Sequence, residues 1–502
     1  MARKLEPAVA VALAFGVLSA AWAVTTPPFS SPDEWAHYLR ALSIAHGQIL
    51  GRPIVDYPKG LTEAQRSWVL QATRTVDVPP HLDPTGYACH VFAPEKSAAC
   101  NDRVVSPAAA GERIIPNGTY QPAAYFAPAS LVRLGASATS ALLFGRLAIV
   151  LACASLLLLA LRALGSQGVS GLLLAWTPMT AFLAGMLNPS GLEIFAAIAF
   201  LGGLIAVARG GESTKHGWVA ATAGGLILPL SRSLGGVYLP IIAGLWTFAI
   251  GPRRVLELVR SSRAHAAGCA AASLAGLVAN RAWEHLYGPK VPADTSSLGA
   301  AIAAAFTQFP GWLMQQAGNF QYIDTPLPEA IYAAWLACII ALLGLALVKG
   351  TWADRRGILA SLAVAVSIPI ALQVLVLRPV EWLVQGRHVI AVTLPALLFA
   401  GESVERRPSA AVRPLLATCL AVWAAGQLCG FWVSAHRSAV GLEGPVWFLG
   451  ASEWQPPLGW TIWLVALMGA LGSIAVSLWS SSSGRHVEGG PQGAENARTQ
   501  HV

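Results

Sequence analysis

The sequence predicts an all-α polytopic membrane protein, and three observations support this fold class. Of the 502 residues, 55% are hydrophobic and only 12% are charged, about half the charged fraction of a soluble globular protein. Apolar runs of roughly 17–25 residues, long enough to cross a bilayer as helices, recur along the chain. Lysine and arginine concentrate in alternate connections between these runs, as expected for loops on the cytoplasmic side.

The apolar runs predict about twelve transmembrane helices. The runs at 217–231 and 236–250 are short for full spans, so the count ranges from 11 to 13. The predicted spans lie near residues 7–25, 138–161, 169–187, 191–208, 217–231, 236–250, 264–283, 330–348, 357–377, 388–402, 414–434 and 458–479.

The cationic residues predict the orientation. Basic pairs such as Arg3-Lys4, Arg253-Arg254 and Arg406-Arg407 fall in every second connection, which places both termini in the cytoplasm. The net charge of +8 therefore requires no nucleic-acid partner. The first apolar run also resembles a signal peptide ending at Ala21-Trp22-Ala23, but we expect a retained helix because many spans follow. The excess of arginine over lysine and the abundant alanine suggest a bacterial plasma membrane protein.

We expect one integral-membrane domain over residues 1–479. Its first extracytoplasmic loop, 26–137, includes an interfacial helix near 125–134, and a second large loop, 284–329, includes another near 309–320. The polar tail 480–502 is expected to be disordered and cytoplasmic.

Two of the seven cysteines stand apart from the apolar segments. Cys89 and Cys100 lie in the first loop, and outside the cytoplasm they would form a disulfide. The spacing lacks the paired C-x-x-C pattern of a zinc site, so metal binding is the weaker interpretation.

The segment after the first span concentrates ionisable residues. Ser31 is predicted to be an N-cap with Pro32 at the first helical position. On that helix Asp33, His37 and Arg40 occupy positions i, i+4 and i+7, one face. An acid, a titratable base and a cation on one face at a membrane surface form a candidate catalytic constellation.

Glu34 has a competing explanation. Ser31-x-x-Glu34 has the pattern of a capping box, and acids in the first turn complement the helix dipole. Capping does not explain Asp33 and His37 together, so Asp33 is the preferred catalytic acid. Adjacent Asp33 and Glu34 could also hold a divalent cation, but no further acids cluster nearby and we expect no metal.

Three arginines lie where lipid would disfavour a charge. Arg146 lies well inside the second span, Arg232 lies between two short apolar segments, and Arg387 precedes His388 at the start of a later span. Arginine binds phosphate oxygens with fork geometry, so these residues are candidates for a lipid phosphate. Structural pairing of Arg146 with a carboxylate, and a snorkelling role for Arg387, remain alternatives.

The turn that joins the third and fourth spans carries a second acid. Asn188 before Pro189 has the pattern of a helix cap, and Ser190-x-x-Glu193 that of a capping box. Capping explains most of this pattern, and Glu193 stays a candidate for substrate binding. The chain has no Walker loop, GxGxxG, HExxH or GxSxG signature, so soluble nucleotide chemistry is not predicted.

Four short motifs, in this order and topological placement, resemble the bacterial DUF2142 family within the GT-C type glycosyltransferases. They are Pro32-Asp33-Glu34-Trp35-Ala36-His37, Asn188-Pro189-Ser190-Gly191-Leu192-Glu193, Asp324-Thr325-Pro326-Leu327-Pro328 and Gln385-Gly386-Arg387-His388. The chain departs from the expected pattern at His388, where a tyrosine is usual, and at Gln321-Tyr322, where Gly-Trp is usual.

The resemblance implies inverting transfer of a sugar from a polyprenyl-phosphate donor to a polysaccharide, glycolipid or protein acceptor of the cell envelope, on the outer membrane face. Asp33 would be the general base, with a pKa raised by partial burial near lipid. A transporter or flippase for a lipid-linked glycan, and a non-catalytic envelope-assembly protein, remain alternatives. The candidate residues are Asp33, Glu34 and His37 for catalysis, Arg387, His388, Arg232 and Arg146 for the donor phosphate, and Arg40, Glu193, Tyr125, Asp324 and Gln385 for other substrate contacts.

Overall fold

A computed structural model describes residues 6–55, 59–87, 89–105, 107, 109–116, 118–211, 213–407 and 409–483. The sequence predicts a disordered tail over 480–502. Residues 480–483 instead form the end of a helix, and the rest of the predicted tail, from 484 onward, lies outside the described residues. Over the described ranges the helices are α1 Pro7–Thr25, α2 Glu34–Ala45, α3 Glu63–Ala72, α4 Phe126–Val132, α5 Ala138–Leu164, α6 Val169–Ala175, α7 Pro178–Gly185, α8 Pro189–Arg209, α9 Ser213–Ser231, α10 Gly235–Ile250, α11 Pro252–Ser261, α12 Arg263–Tyr287, α13 Leu298–Ala317, α14 Glu329–Lys349, α15 Trp352–Val380, α16 Ile390–Thr393, α17 Pro395–Glu405, α18 Val412–Val440 and α19 Gly459–Ser483.

Within the described ranges, seven helices are long and apolar enough to cross a membrane. They are α1, α5, α8, α14, α15, α18 and α19. The pair α10 and α11 would make an eighth span, but the two helices are bent by 101° at Gly251. The helices predicted at 217–231 and 264–283 form as parts of α9 and α12, which are less apolar. The structure therefore supports a polytopic helical protein without reproducing twelve spans.

Two predicted spans are interrupted helices. The run 169–187 divides into α6 and α7, because Pro178 lacks the N–H that would continue α6 and instead occupies the first turn of α7. Thr177 caps α7 by accepting from the backbone N–H of Thr180 at 3.2 Å. The run 388–402 divides in the same way into α16 and α17, with Pro395 starting the second helix.

A small antiparallel sheet departs from the all-α prediction. It consists of β1 Arg52–Pro53, β2 Arg74–Val78 and β3 Gly111–Ile115, in the order β1-β2-β3, and all three strands belong to the loop 26–137. A second pair, β4 Asn319–Phe320 and β5 Thr325–Pro326, forms the hairpin that carries Asp324. The two interfacial helices expected from the sequence correspond to α4 and to the later part of α13.

Helix α8 is the central helix of the bundle. Nearly all of its residues from Pro189 to Val207 are buried, and it packs against α5, α9 and α10. The approach of α9 is close because a Cβ on Gly203 would come within 2.5 Å of backbone atoms of Gly217 and Ala221. This rigid packing fixes the first turn of α8, which borders the polar cluster described next.

Candidate functional site

The end of the bundle that carries residues 26–137, here called the loop face, contains a cavity of about 590 Å³. Asp33 lines this cavity and 58% of its side chain is exposed. Asp33 occupies the N-cap of α2 in the left-handed conformation, with φ 58°, and makes no side-chain capping bond. The prediction of Ser31 as N-cap and Pro32 as first helical residue is therefore wrong, because the helix begins at Glu34.

Arg387 forms an ion pair with the Asp33 carboxylate. Its Nη2 lies 2.5 Å from Asp33 Oδ2, and only 2% of the arginine is exposed. Burial raises the pKa of Asp33, but the charges of Arg387 and Arg232 and the hydrogen bond from Arg387 outweigh burial and hold the pKa below its ordinary value. The expectation that burial would raise this pKa is thus wrong, because it did not anticipate a buried cation in contact with the carboxylate.

The carbonyl oxygen of Pro32 joins three of the four sequence motifs. It accepts from Arg387 Nη1 at 3.1 Å and from Asn188 Nδ2 at 3.0 Å. Asn188 also caps α8 by accepting from the N–H of Ser190 at 2.9 Å, as the sequence predicts. Segments separated by more than 150 residues therefore meet at the backbone beside Asp33.

His37 lies beneath Asp33 and is fully enclosed. Its Nδ1 lies 2.8 Å from the Tyr125 hydroxyl, and its ring stacks on Tyr120 with centroids 5.9 Å apart. Burial lowers the pKa of His37 to about 3, because the opposing effect of Asp33 is smaller and Arg232 and Arg387 add to the lowering. His37 is therefore neutral near pH 7 and orients its neighbours without contributing a positive charge.

Arg232 and Glu193 form the inner side of the cluster. Arg232 Nη1 donates to Ser190 Oγ at 2.5 Å. Ser190 does not form the predicted capping box with Glu193, because α8 begins at Pro189 and Asn188 is its N-cap. The Glu193 carboxylate is completely buried, and neither of its oxygens has a hydrogen-bond partner among the described residues. Burial lowers the pKa of Arg232, but the negative charge of Glu193 and nearby tyrosines more than compensate.

Glu34 and Arg146 form a separate buried ion pair. Arg146 Nη2 lies 2.6 Å from Glu34 Oε2, and its Nε donates to Oε1 at 2.8 Å. The remaining N–H groups of Arg146 donate to the carbonyls of Ala23, Thr26 and Pro27. All five donors are therefore occupied, so Arg146 cannot bind a lipid phosphate as predicted. Glu34 is neither the N-cap of α2 nor part of the cavity lining.

The other predicted residues divide between the cavity and structural positions. Gln385 lines the cavity. Arg40 turns away from Asp33 to the carbonyls of Tyr120 and Ile49, and its guanidinium lies 6.0 Å from the Trp283 ring. The predicted common face of Asp33, His37 and Arg40 is therefore not a common site. The backbone carbonyl of His388 accepts a hydrogen bond from the Tyr238 hydroxyl at 2.7 Å, which holds this segment in place.

Asp324 lies beside the cavity and belongs to a different network. Its Oδ2 accepts from Arg437 Nη2 at 2.9 Å, and Arg437 also donates to the carbonyl of His90. His90 is next to the Cys89–Cys100 pair, which lies at disulfide distance as the spacing predicts. Among the described residues, the one grouping with metal-ligand spacing is Cys89, His90 and Cys100, and its sulfurs are already joined.

Comparison with protein families gives a match over residues 15–396, to the family described as predicted membrane protein (DUF2142). The chain belongs to the DUF2142 family. No curated protein and no solved structure matches it significantly. This DUF2142 protein is accordingly a membrane protein with several apolar helices, and its four motifs all fall within the matched range.

The sequence did not single out several residues of this DUF2142 site. Aromatic side chains form the cavity wall around Asp33, namely Phe29, Trp35, Tyr87, Phe92 and Tyr322. They come from three separate segments, so no local pattern marks them. Arg437 could have been found, because it is an ionisable residue near the end of a long apolar helix, the same signal that marked Arg146.

Proposed function

We propose that this DUF2142 protein is a membrane glycosyltransferase that moves a sugar from a polyprenyl-phosphate donor to an envelope acceptor, with inversion, on the outer face of the plasma membrane. The observation that carries the proposal is the Asp33 carboxylate, which is open to a cavity of about 590 Å³ and contacts a buried arginine through one oxygen. A general base and a phosphate-binding cation are thereby adjacent at one membrane face.

Asp33 would accept the proton of an acceptor hydroxyl. As the proton moves to the carboxylate, the hydroxyl oxygen forms a bond to the anomeric carbon on the side opposite the leaving group. The bond from the anomeric carbon to the phosphate oxygen breaks, and its electron pair leaves with the polyprenyl phosphate. No cofactor is required for this exchange of bonds.

Arg387 would stabilise the leaving phosphate. Its Nε is buried without a hydrogen-bond partner among the described residues, so it has a donor to offer an anion that enters the site. A phosphate that draws Arg387 away from Asp33 would also raise the pKa of Asp33 and make it a stronger base. Arg232 would add positive charge, and the neutral His37 with Tyr125 would hold the orientation of α2.

The aromatic wall supports a sugar as the group in the cavity. Trp35 and Phe92 are 38% and 79% exposed beside Asp33. Exposed rings next to polar side chains are typical of sites that bind one apolar and one polar face of a ligand, and a sugar ring presents both faces. Gln385 would donate or accept at the polar edge of that ring.

The test is glycosyl transfer by the purified full-length protein in nanodiscs, with several labelled polyprenyl-phosphate sugars and an envelope extract as acceptor. Asp33→Asn should lower product formation by about 10²–10⁴-fold, the usual contribution of a general base. Asp77→Asn is the matched control, because Asp77 pairs with Arg52 at 2.8 Å in the same loop and is well exposed.

Equal product from wild type and Asp33→Asn would overturn the catalytic role of Asp33. Absence of product with every donor, combined with movement of labelled lipid-linked glycan across the membrane of proteoliposomes, would favour a transporter or flippase instead. Absence of both activities would favour a non-catalytic assembly protein.

A further inference from the structure

A second cavity, of about 380 Å³, lies at the opposite end of the central helix. Helix α8 begins beside the Asp33 cluster and ends at Arg209, which lines this second cavity. Its 21 residues extend about 31 Å, roughly the thickness of a bilayer core. The second cavity therefore opens at the membrane face opposite the loop face.

The lining of this cavity is positively charged after its internal ion pairs are counted. Glu402 pairs with Arg209 at 2.6 Å, and Asp354 pairs with both Arg406 and Arg407, at 2.8 and 2.5 Å. Arg254 also lines the cavity, so four arginines face two acids. Arg254 itself pairs with Glu257, which lies outside the lining, at 3.0 Å, so an excess of one positive charge remains to attract an anion.

Arg254 and Arg406 have donors to spare. Their side chains are 48% and 43% exposed, and in the described part of the chain each gives one nitrogen to a carboxylate. Arg254 is on α11 and Arg406 follows the end of α17, so the two guanidinium groups approach from different elements. Such an arrangement can bind the oxygens of one phosphate group from two directions.

The remaining wall and the neighbouring helix are suited to lipid. Trp246, Ile250 and Phe399 form apolar parts of the cavity. Helix α11 is bent 101° away from α10, and its Leu256 and Val259 are 48% and 40% exposed among basic residues. A basic amphipathic helix with exposed apolar side chains is typical of segments that lie in a membrane interface.

We propose that this cavity binds the phosphate of an anionic phospholipid, with Arg254 and Arg406 as the principal contacts and α11 lying in the headgroup region. The excess of positive charge selects an anion, and the exposed apolar residues beside it favour a phosphate attached to a lipid over a free phosphate ion. The site is separate from the Asp33 cavity, and it does not depend on the proposed enzymatic activity.

The experiment measures lipid retained by the full-length protein in native mass spectra, after incubation with phosphatidylcholine vesicles that contain phosphatidylglycerol. Arg254→Gln combined with Arg406→Gln should weaken phosphatidylglycerol binding about 30-fold, since each arginine near a membrane surface adds about 1 kcal/mol of attraction. The control is Arg253→Gln combined with Arg260→Gln. This variant also removes two positive charges, but from exposed positions on α11 that do not line the cavity.

Retained binding in the first double variant would overturn the proposal. An equal loss in the control would also overturn it, since the attraction would then come from the general surface charge. A separate arm adds millimolar inorganic phosphate during incubation. We expect no displacement of phosphatidylglycerol, whereas complete displacement would assign the site to free phosphate and refute lipid binding. Unchanged thermal unfolding of both double variants would show that a loss of binding is not a loss of folding.

Discussion

Asp33 and Glu34 are neighbours in the sequence, yet their carboxylates reach different arginines in different surroundings. Glu34 is fully buried, and its partner Arg146 has every donor occupied. Asp33 is open to a cavity, and its partner Arg387 retains an unused buried donor. The Glu34–Arg146 pair is structural, because it is buried and every donor of Arg146 is occupied. The Asp33–Arg387 pair is suitable for chemistry, because Asp33 is open to the cavity and Arg387 has an unused donor.

Replacement of Arg387 tests the electrostatic coupling to Asp33. Arg387→Gln should raise the pKa of Asp33, because it removes the charge that opposes the effect of burial. If Asp33 is the base, activity is lost as the pH falls through its pKa, so the acid limb of the kcat/KM profile should move to higher pH. Arg387→Lys keeps the charge and should move the limb less. An acid limb at the wild-type pH in Arg387→Gln would contradict the coupling.

Removal of either partner of the Glu34–Arg146 pair tests its structural role. Arg146→Met or Glu34→Gln should lower the free energy of unfolding by about 3–5 kcal/mol, because an uncompensated polar or charged group would remain buried. Chemical unfolding in detergent measures the change. Arg162→Gln is the control, since the exposed Arg162–Glu6 pair should contribute about 0–1 kcal/mol. Similar stability of all three variants would refute the assignment.

At the scale of elements, interrupted helices form the centre of the bundle. Pro178 divides α6 from α7, and Pro395 divides α16 from α17. The buried N-terminus of α6 is satisfied by Glu405 at the end of α17, which accepts from the N–H groups of Val169 and Ser170. The two interrupted segments therefore complete each other, and their contact depends on a close approach of α6 to α17.

Glycine permits that approach, and its replacement gives a measurable outcome. A Cβ on Gly171 would lie 2.1 Å from the backbone oxygen of Leu397. Gly171→Ala should therefore lower the free energy of unfolding by about 1–3 kcal/mol. Gly268→Ala, in α12 where a Cβ meets no atom within 4 Å, should instead raise it by roughly 0.5–1 kcal/mol. Chemical unfolding of the two variants makes the comparison, and equal stability would contradict the packing argument.

At the scale of the whole molecule, the two cavities occupy opposite ends of α8. The distribution of lysine and arginine predicts that the Asp33 end faces outward and the Arg254 end faces the cytoplasm. The two ends would then contact different molecules. The Asp33 end would meet lipid-linked sugars and envelope acceptors, and the Arg254 end would meet the anionic lipids of the inner leaflet.

Cysteine labelling tests this orientation. Val55→Cys places a thiol at a position that is 90% exposed on the loop face, and Leu256→Cys places one on α11. A membrane-impermeant maleimide should label the first variant in intact cells and the second only after lysis. The wild-type protein provides the background from its own cysteines. The reverse pattern would invert the orientation and refute the outer-face site.

The sequence by itself determined the features that depend on neighbouring residues. Apolar runs long enough for a bilayer predicted the long helices, Asn188-Pro189 predicted the start of α8, and the spacing of Cys89 and Cys100 predicted their pairing. The family also followed from short motifs in a fixed order. Each of these signals operates over a few residues or through composition, so no knowledge of packing was required.

Only the tertiary structure decided which charges meet. Arg146 is 112 positions from Glu34, and Arg387 is 354 positions from Asp33. The local pattern around Ser31 suggested a cap, but the burial of Arg146 drew Glu34 inward and left Asp33 at the left-handed N-cap, facing the cavity. The cost of leaving a buried guanidinium unpaired exceeds the benefit of a capping box, which is why long-range packing overruled the local signal.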